Sequence, residues 1–256
     1  MEPLIETIRR ARPHVVAISG DLTQRARPRE FEAARAFLDA LPEPQIVVPG
    51  NHDVPLHNPY GRFVLGFAAF REFITDDPYP YYSDREVAVI GVNTARSLAF
   101  KGGRINSEQV DAIRRRLCAE KGKFAKIVVT HHPFDKPQDS EHALVGRAGM
   151  AMKQLAVCGV DVFLSGHLHT TGIYQTAVRY RIAGHSALVV HAGTATSTRG
   201  RGEPNSFNML HVDRSSIRVE RYVWVSEGAG FDVSAAEDFE NTENGWVPAS
   251  RQSVKR

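Results

Sequence analysis

The stretch Val162-Phe163-Leu164-Ser165-Gly166-His167-Leu168-His169 decides the fold of this chain. Its first half is typical of a short buried strand, and its second half is a turn that carries two histidines. Three other apolar runs end in the same way, and they lead into Gly20-Asp21, Gly50-Asn51-His52-Asp53 and His131-His132. In open α/β sheets ligands bind beyond the carboxyl ends of the strands. The sequence therefore predicts that these polar side chains meet at one edge of a sheet.

The residue types at these strand ends predict a metal site. A carboxylate with neutral imidazoles suits Zn, Mn or Fe, and a carboxylate can bridge two ions about 3.5–4 Å apart. His167 and His169 are two positions apart, so in an extended segment they point to one side and can serve adjacent ions. Each motif alone also fits a structural role, as a turn, a capped turn or a core histidine. Their joint occurrence favours the metal site.

Composition limits the class of protein. With 256 residues, 42% hydrophobic and 24% charged, the chain has the composition of a globular protein of one domain or at most two. The net charge of +3 is carried by dispersed arginines, which disfavours nucleic acid as a partner. No apolar run is long enough for a membrane span, and Met1 to Glu6 lack the features of a signal peptide, so a cytoplasmic protein is expected. Cys118 and Cys158 are expected as two buried free thiols, with a single disulfide left open. Oligomeric state is not readable from the sequence.

Periodicity along the chain predicts an α/β protein whose last third is mainly β. Helical spacing predicts helices over residues 2–12, 29–41, 66–74, 107–117 and 146–157. Residues 86–92 are predicted as a strand, and residues 172–225 as several antiparallel strands. The last thirty residues are polar and are predicted to be weakly structured. The expected division is one domain over residues 1–225 and a polar extension over residues 226–256.

The metal-ligand motifs, in this order, resemble those of the calcineurin-like metallophosphoesterase superfamily. The sequence around these motifs is most similar to that of the bacterial branch near the class III cyclic-nucleotide phosphodiesterases, in the segments Ser19–Thr23, Pro49–Asp53 and Thr130–Pro133. The resemblance covers roughly residues 13 to 225. It implies a four-layer α-β-β-α sandwich of two mixed sheets and a dinuclear centre that holds two divalent ions, Mn, Fe or Zn. The implied substrate is a small-molecule phosphoester, above all a phosphodiester.

The implied chemistry is hydrolysis by a metal-bound hydroxide. Metal binding lowers the pKa of water to about 7, and the ions neutralise charge on the phosphoryl oxygens. The candidate loops present no evident Ser or Cys nucleophile, so no covalent enzyme intermediate is needed.

The resemblance also implies a role for each matching residue. Asp21 would be the bridging carboxylate, Asn51, His131 and His167 would complete one metal site, and His169 would bind the second ion. His132 would be a structural neighbour of the ligands.

Three further residues would act on the substrate. His52 would lie beside the leaving-group oxygen as a general acid or transition-state donor, and Asp53 could orient its imidazole. Arg96, at the end of the 86–92 strand, either approaches the substrate phosphate or lies in a solvated loop. His57 and Tyr60 either line the substrate entrance or belong to a packed loop.

The chain departs from the family pattern at its beginning. The first family motif is Asp-x-His after the first strand, but residues 1 to 20 contain no Asp, and His14 precedes its strand. Only one metal site is then complete, and the usual first strand is lacking. Two explanations compete: the true start lies upstream of Met1, or the protein is a catalytically impaired member that binds metal or a partner without turnover.

Overall fold

The structure is a computed structural model that describes residues 1–55, 66–96, 102–137, 143–197 and 203–249. His57 and Tyr60 lie outside these ranges. The helices are α1 (Glu2–Ala11), α2 (Pro28–Asp39), α3 (Ala68–Phe73), α4 (Ser107–Leu117), α5 (Ala148–Ala156) and α6 (Thr176–Tyr180). The first eight strands are β1 (Val16–Ile18), β2 (Gln45–Val47), β3 (Tyr81–Ser83), β4 (Val87–Gly91), β5 (Ala125–Val129), β6 (Val162–Ser165), β7 (Gly172–Gln175) and β8 (Leu188–His191). The last four are β9 (Ser206–Val212), β10 (Ser216–Ser226), β11 (Gly230–Thr242) and β12 (Gly245–Pro248).

These strands form three sheets. A six-stranded sheet has the order β3-β4-β5-β6-β8-β7, and its four central strands are parallel, whereas β3 and β7 pair antiparallel at the two edges. A four-stranded antiparallel sheet has the order β12-β11-β10-β9. A third, two-stranded sheet pairs β1 with β2 in parallel. The parallel strands need crossover connections, and helices α2, α4 and α5 each lie between two parallel strands in the chain.

The sheets and helices stack into four layers. Alternate residues of the six-stranded sheet, such as Ile90 and Phe163, pack against α4 and α5. The residues between them, such as Val89 and Val162, pack against Ile217 and other residues of the four-stranded sheet. The outer layer consists of α1 and α2, which cover β1, β2 and the aromatic side chains of β9, β10 and β11. The protein is thus an α/β fold with a mixed sheet, and its helices lie outside two layers of strands.

Most of the predicted elements are confirmed. The predicted helices correspond to α1 to α5, and the 86–92 strand corresponds to β4. Helix α4 begins at the predicted place because Asn106 caps it: the Asn106 side chain accepts a hydrogen bond from the Gln109 amide, and the Gln109 side chain accepts one from the Asn106 amide. The short helix α6 interrupts the run of strands predicted for residues 172–225.

The prediction of a weakly structured C-terminus is wrong for residues 230–248. Strand β11 pairs along almost its whole length with β10, which itself extends to Ser226, and β12 completes the sheet. Phe239 and Trp246 are buried against the six-stranded sheet. These strands are not evident from the sequence, because β11 buries only two of its thirteen residues and therefore shows no alternation of apolar and polar residues.

The expectation of two free thiols is also wrong. Cys118 and Cys158 form a disulfide, with their Cα atoms 4.5 Å apart. It joins the end of α4 to the end of α5, beside the amino end of β6. Among the described residues, no helix combines the length and the apolar character needed to cross a bilayer.

Candidate metal centre

Five of the predicted ligands lie in loops that follow four strands. Asp21 follows β1, Asn51 follows β2, His131 follows β5, and His167 and His169 follow β6. The apolar residues before each loop are buried in the sheets and fix where each strand ends. The structure brings Asp21, Asn51, His131 and His167 together at one edge, as the strand-end pattern predicts.

Asn51, His131 and His167 form the centre of this group. Asn51 Oδ1 lies 3.1 Å from His131 Nε2 and 3.0 Å from His167 Nδ1. The two imidazole nitrogens lie 3.2 Å apart. Asn51 and His131 are buried, whereas His167 is half-buried.

The contacts of His131 indicate which tautomer its neutral imidazole adopts. Its Nδ1 lies 2.7 Å from the carbonyl oxygen of Ser19, which can only accept, so Nδ1 carries the hydrogen and donates it. In the neutral imidazole the lone pair is then on Nε2. That nitrogen faces two more acceptors, Asn51 Oδ1 and, at 3.5 Å, Asp21 Oδ1. Acceptor atoms that converge in this way repel one another unless a cation neutralises them, so the donor set fits a divalent metal ion.

Two glycines allow the Asp21 and Asn51 loops to touch. A Cβ on Gly20 would collide with the backbone of Gly50, and a Cβ on Gly50 would collide with the Asp21 carboxylate. The close approach lets the His52 amide donate to Asp21 Oδ1 at 3.0 Å. This bond holds the carboxylate beside His131.

Three of the predicted ligands have left-handed backbone conformations. The φ angles are 58° at Asp21, 68° at His167 and 59° at His169. Such conformations cost non-glycine residues free energy, and they concentrate at functional sites where the surrounding structure enforces them. The extended segment predicted for His167 and His169 is therefore wrong, because residues 167–170 form a bend.

Asp53 connects the two glycine loops. Its buried carboxylate accepts hydrogen bonds from the amides of Leu22, Thr23 and Gly50, and from the Thr23 hydroxyl. Burial raises the pKa of Asp53 to about 6. Repulsion from Asp21 also raises this pKa, whereas the hydrogen bonds from the backbone amides lower it. The contact expected between Asp53 and the His52 imidazole is not formed. The His52 ring instead pairs through Nδ1 with the carbonyl oxygen of Gln24, at 3.1 Å.

His132 lies closer to the centre than its predicted structural role suggested. Ligand atoms of His131, His132 and His167 lie within 4.8 Å of one another, a spacing that could hold a metal ion. His132 Nδ1 also lies 3.1 Å from Thr94 Oγ1. The sequence signal was the His131-His132 pair itself, but the partner at Thr94 is 38 residues away and leaves no local pattern.

The two remaining predicted residues, His169 and Arg96, are both half-buried. His169 is half-buried at the end of the bend after β6 and is outside the described three-histidine cluster. Arg96 is half-buried two residues after Thr94, which contacts His132. The structure thus brings Asp21, Asn51, His131 and His167 together.

Comparison with known proteins identifies the family. The model of the calcineurin-like phosphoesterase family matches residues 1–171, which is more than half of the chain. The protein therefore belongs to the calcineurin-like phosphoesterase family, as its motifs indicated.

Two curated relatives are named as phosphodiesterases. A glycerophosphodiester phosphodiesterase, GpdQ of Enterobacter lignolyticus, is 48% identical over 44 residues, which cover 17% of this chain and 16% of that protein. A probable cyclic nucleotide phosphodiesterase of Synechococcus is 25% identical over 124 residues, which cover 47% of this chain and 43% of that protein. The matched part is thus less than half the length of either relative.

A solved structure supports the fold alone. GAP50, the anchor in the inner membrane complex of Plasmodium, aligns with a TM-score of 0.58 at 15% identity, over 92% of this chain and 81% of that chain. This similarity covers more of the chain than the family segment of residues 1–171 does.

Proposed function

We propose that this protein hydrolyses phosphodiesters with the help of divalent metal ions, of which Mn, Fe and Zn suit the ligands. The observation that carries the proposal is the convergence of Asn51 Oδ1, His131 Nε2 and His167 Nδ1 within 3.2 Å, beside the Asp21 carboxylate. Nitrogen and oxygen donors of this kind suit these metals. Membership of the phosphoesterase family supports the reaction class.

The chain's own residues would hold the metals at the strand ends. Asp21, Asn51, His131 and His167 would bind one ion, and His169 would contribute to a second. A divalent ion bound here supplies charge neutralisation for phosphoryl oxygens and lowers the pKa of water at the site. The Ser19 carbonyl keeps the His131 Nε2 lone pair directed at the centre, which preserves the donor geometry during turnover.

In the proposed reaction His52 would protonate the leaving group. Its Nδ1 pairs with the Gln24 carbonyl, and its amide is bonded to Asp21, so the ring is held beside the centre while its Nε2 is left for a substrate. As water forms the new P–O bond and the P–O bond to the leaving group breaks, the departing alkoxide would take a proton from His52 Nε2, and the proton that the attacking water releases would replace it. The Gln24 carbonyl would accept the Nδ1 hydrogen of the ring throughout this step. Asp53 would act as a positioning residue through the loop backbone rather than on the imidazole.

Phosphodiesters are the proposed substrate class because of the relatives' names. The proteins from Enterobacter and Synechococcus are named for glycerophosphodiesters and cyclic nucleotides, both of them phosphodiesters. A half-buried Arg96 near the His132 loop would suit one anionic oxygen of such a substrate. A small-molecule phosphoester is thus the proposed partner, and the cytoplasm is the proposed compartment.

The test is hydrolysis of bis(p-nitrophenyl) phosphate by the purified chain with Mn²⁺, compared with p-nitrophenyl phosphate. We expect turnover that EDTA abolishes and Mn²⁺ restores, with a higher kcat/KM for the diester. A higher kcat/KM for the monoester would contradict the diester assignment. Mn²⁺ binding without turnover of either substrate would favour the rival function, a member of the fold that binds metal or a partner without catalysis.

A further inference from the structure

A polar cavity of about 410 Å³ opens at the amino ends of β5 and β6, opposite the candidate metal centre. Its wall includes both cysteines of the disulfide, and we call it the disulfide cavity. Its volume is in the range of small-molecule sites. Cys118 is exposed, whereas only 4% of the surface of Cys158 is accessible. Cys118 is therefore the half of the bond that a molecule in the cavity can reach.

The wall of the disulfide cavity carries more positive than negative charge. Four cationic side chains and two carboxylates belong to it, and these are Lys121, Lys123, Lys126, Arg214, Glu120 and Asp161. The positive excess favours a ligand that carries carboxylates of its own.

Both carboxylates of the wall are engaged by groups of the protein. Glu120 pairs with the Lys123 ammonium at 3.2 Å. Asp161 accepts hydrogen bonds from the Trp246 indole and from the Lys126 amide, each at 2.8 Å. These contacts satisfy the two carboxylates within the protein, so they do not need a cation from solution.

Lys121 and Arg214 supply the excess positive charge. Both side chains are exposed at the cavity. The Arg214 guanidinium lies over the Phe124 ring, 4.8 Å from its centroid, which holds the charge at the cavity wall. Among the described residues, neither cation forms an ion pair with a carboxylate. Two positive charges thus remain for an anionic ligand.

Lys126 makes the sulfur of Cys158 the better leaving group. Its ammonium donates to the Cys158 carbonyl at 2.7 Å, which keeps a cation beside this residue. A cation near a thiolate stabilises it, and a more stable thiolate leaves faster in thiol–disulfide exchange. Access and leaving-group stability therefore both favour attack at Cys118.

We propose that the disulfide cavity is an exchange site for low-molecular-weight thiols that carry carboxylates, such as glutathione. The thiolate of this molecule attacks Cys118 Sγ and forms a new S–S bond there. The bond between Cys118 and Cys158 breaks, and its electron pair leaves on Cys158 Sγ as a thiolate. The product carries a mixed disulfide at Cys118 and a reduced Cys158. The inference does not rest on the proposed catalytic function.

Opening of the native disulfide by reduced glutathione tests the site. The oxidised 256-residue chain is mixed at low ionic strength with glutathione or with cysteamine, a cationic thiol, and is quenched with N-ethylmaleimide. Peptide mass spectrometry then gives the rate of opening and the position of the adduct. We expect glutathione to open the bond at least about tenfold faster per thiolate than cysteamine, with the adduct on Cys118. In about 1 M KCl the two rates should converge, because the Debye length is then only about 3 Å.

Three results of this experiment would overturn the proposal. One is an equal rate per thiolate for the two molecules at low ionic strength, and another is an adduct on Cys158. The third is opening at the rate of global unfolding, measured in parallel, because the bond would then react only in the unfolded chain.

Charge variants separate the cavity from the general reactivity of the disulfide. The double variant Lys121→Gln with Arg214→Gln removes the two excess cations at exposed positions and leaves both cysteines in place. We expect it to react roughly three- to tenfold more slowly with glutathione and no more slowly with cysteamine. Arg29→Gln, at an exposed position of α2 outside the cavity, is the matched control and should keep both native rates. An unchanged glutathione rate in the double variant, or an equal loss in the control, would overturn the proposal.

Discussion

His131 shows how single residues set the chemistry of the centre. One ring nitrogen is fixed by the Ser19 carbonyl, and the other is aimed at Asn51 and Asp21. Because a carbonyl oxygen cannot donate, the neutral ring carries its hydrogen on Nδ1 and directs the lone pair of Nε2 at the centre. Asn51 completes the arrangement, since its Oδ1 is shared between His131 and His167.

Asn51→Ala removes the oxygen shared by the two histidines. We expect Mn²⁺ affinity to fall by at least about tenfold, because even residues that only orient metal ligands contribute about 10–100-fold. Hydrolysis of bis(p-nitrophenyl) phosphate should fall in parallel. Calorimetric titration with Mn²⁺ measures the affinity, and Asn244→Ala, at an exposed turn residue, is the matched control. Unchanged affinity in the Asn51 variant would remove Asn51 from the ligand set.

His52→Ala separates proton donation from metal binding. We expect kcat to fall by about 10²–10⁴-fold for alkyl phosphodiesters, the usual contribution of a general acid. The loss should be much smaller with p-nitrophenolate as the leaving group, since that anion departs without a proton. Mn²⁺ affinity should stay unchanged, because the ring pairs with Gln24 and not with the predicted ligands. Equal losses for both leaving groups would assign His52 to positioning instead.

At the scale of elements, the end of β8 is hydrogen-bonded to β6, the strand that leads into the loop of His167 and His169. His191, the last residue of β8, is buried, and its Nδ1 lies 2.8 Å from Ser165 Oγ at the end of β6. The Tyr174 ring of β7 lies 5.2 Å from the imidazole, and the Asp135 backbone approaches it from the loop after β5. Burial lowers the pKa of His191 to about 4.

This buried imidazole predicts a loss of stability in acid. The unfolded chain protonates His191 near pH 6.5 and the folded chain near pH 4, so the unfolded state binds more protons between these values. The free energy of unfolding should fall by roughly 3 kcal/mol as the pH decreases through this window. Urea unfolding in EDTA measures the change. In His191→Phe this part of the decline should be absent, whereas His14→Gln, at an exposed position, should keep it; a decline of equal size in both variants would contradict the assignment.

Elements with a local signal could be predicted, and elements defined by distant contacts could not. Helix α4 has a cap at Asn106 and an apolar stripe, and both lie within its own sequence. Strand β11 is recognisable only through β10, because Phe231 and Phe239 are its two buried residues. The ligand loops were predictable since each ends an apolar run. The hydrogen bond between His131 and the Ser19 carbonyl was not predictable, because the two residues are 112 positions apart in the chain.

At the scale of the whole molecule, the candidate metal centre and the disulfide lie at opposite ends of β6. His167 follows the carboxyl end of this strand, and Cys158 precedes its amino end. The pairing of Cys118 with Cys158 was not predictable from composition, because it depends on α4 and α5 packing side by side on the same sheet face. The bond therefore stabilises the helical layer without touching the candidate ligands.

Reduction of this disulfide tests that separation of roles. The bond closes a loop of 40 residues, and the chain-entropy relation assigns such a loop about 4 kcal/mol of stability. We expect dithiothreitol to lower the free energy of urea unfolding by about that amount at constant Mn²⁺. The double variant Cys118→Ala with Cys158→Ala should unfold like the reduced protein and be insensitive to dithiothreitol, while both keep the Mn²⁺ affinity of the oxidised chain. A large loss of Mn²⁺ affinity on reduction would show instead that α4 and α5 transmit strain along β6 to the centre.

Thiol titration in freshly lysed cells tests the proposed compartment. A disulfide found in those cells would indicate an oxidising compartment. Two free thiols would support the cytoplasmic proposal.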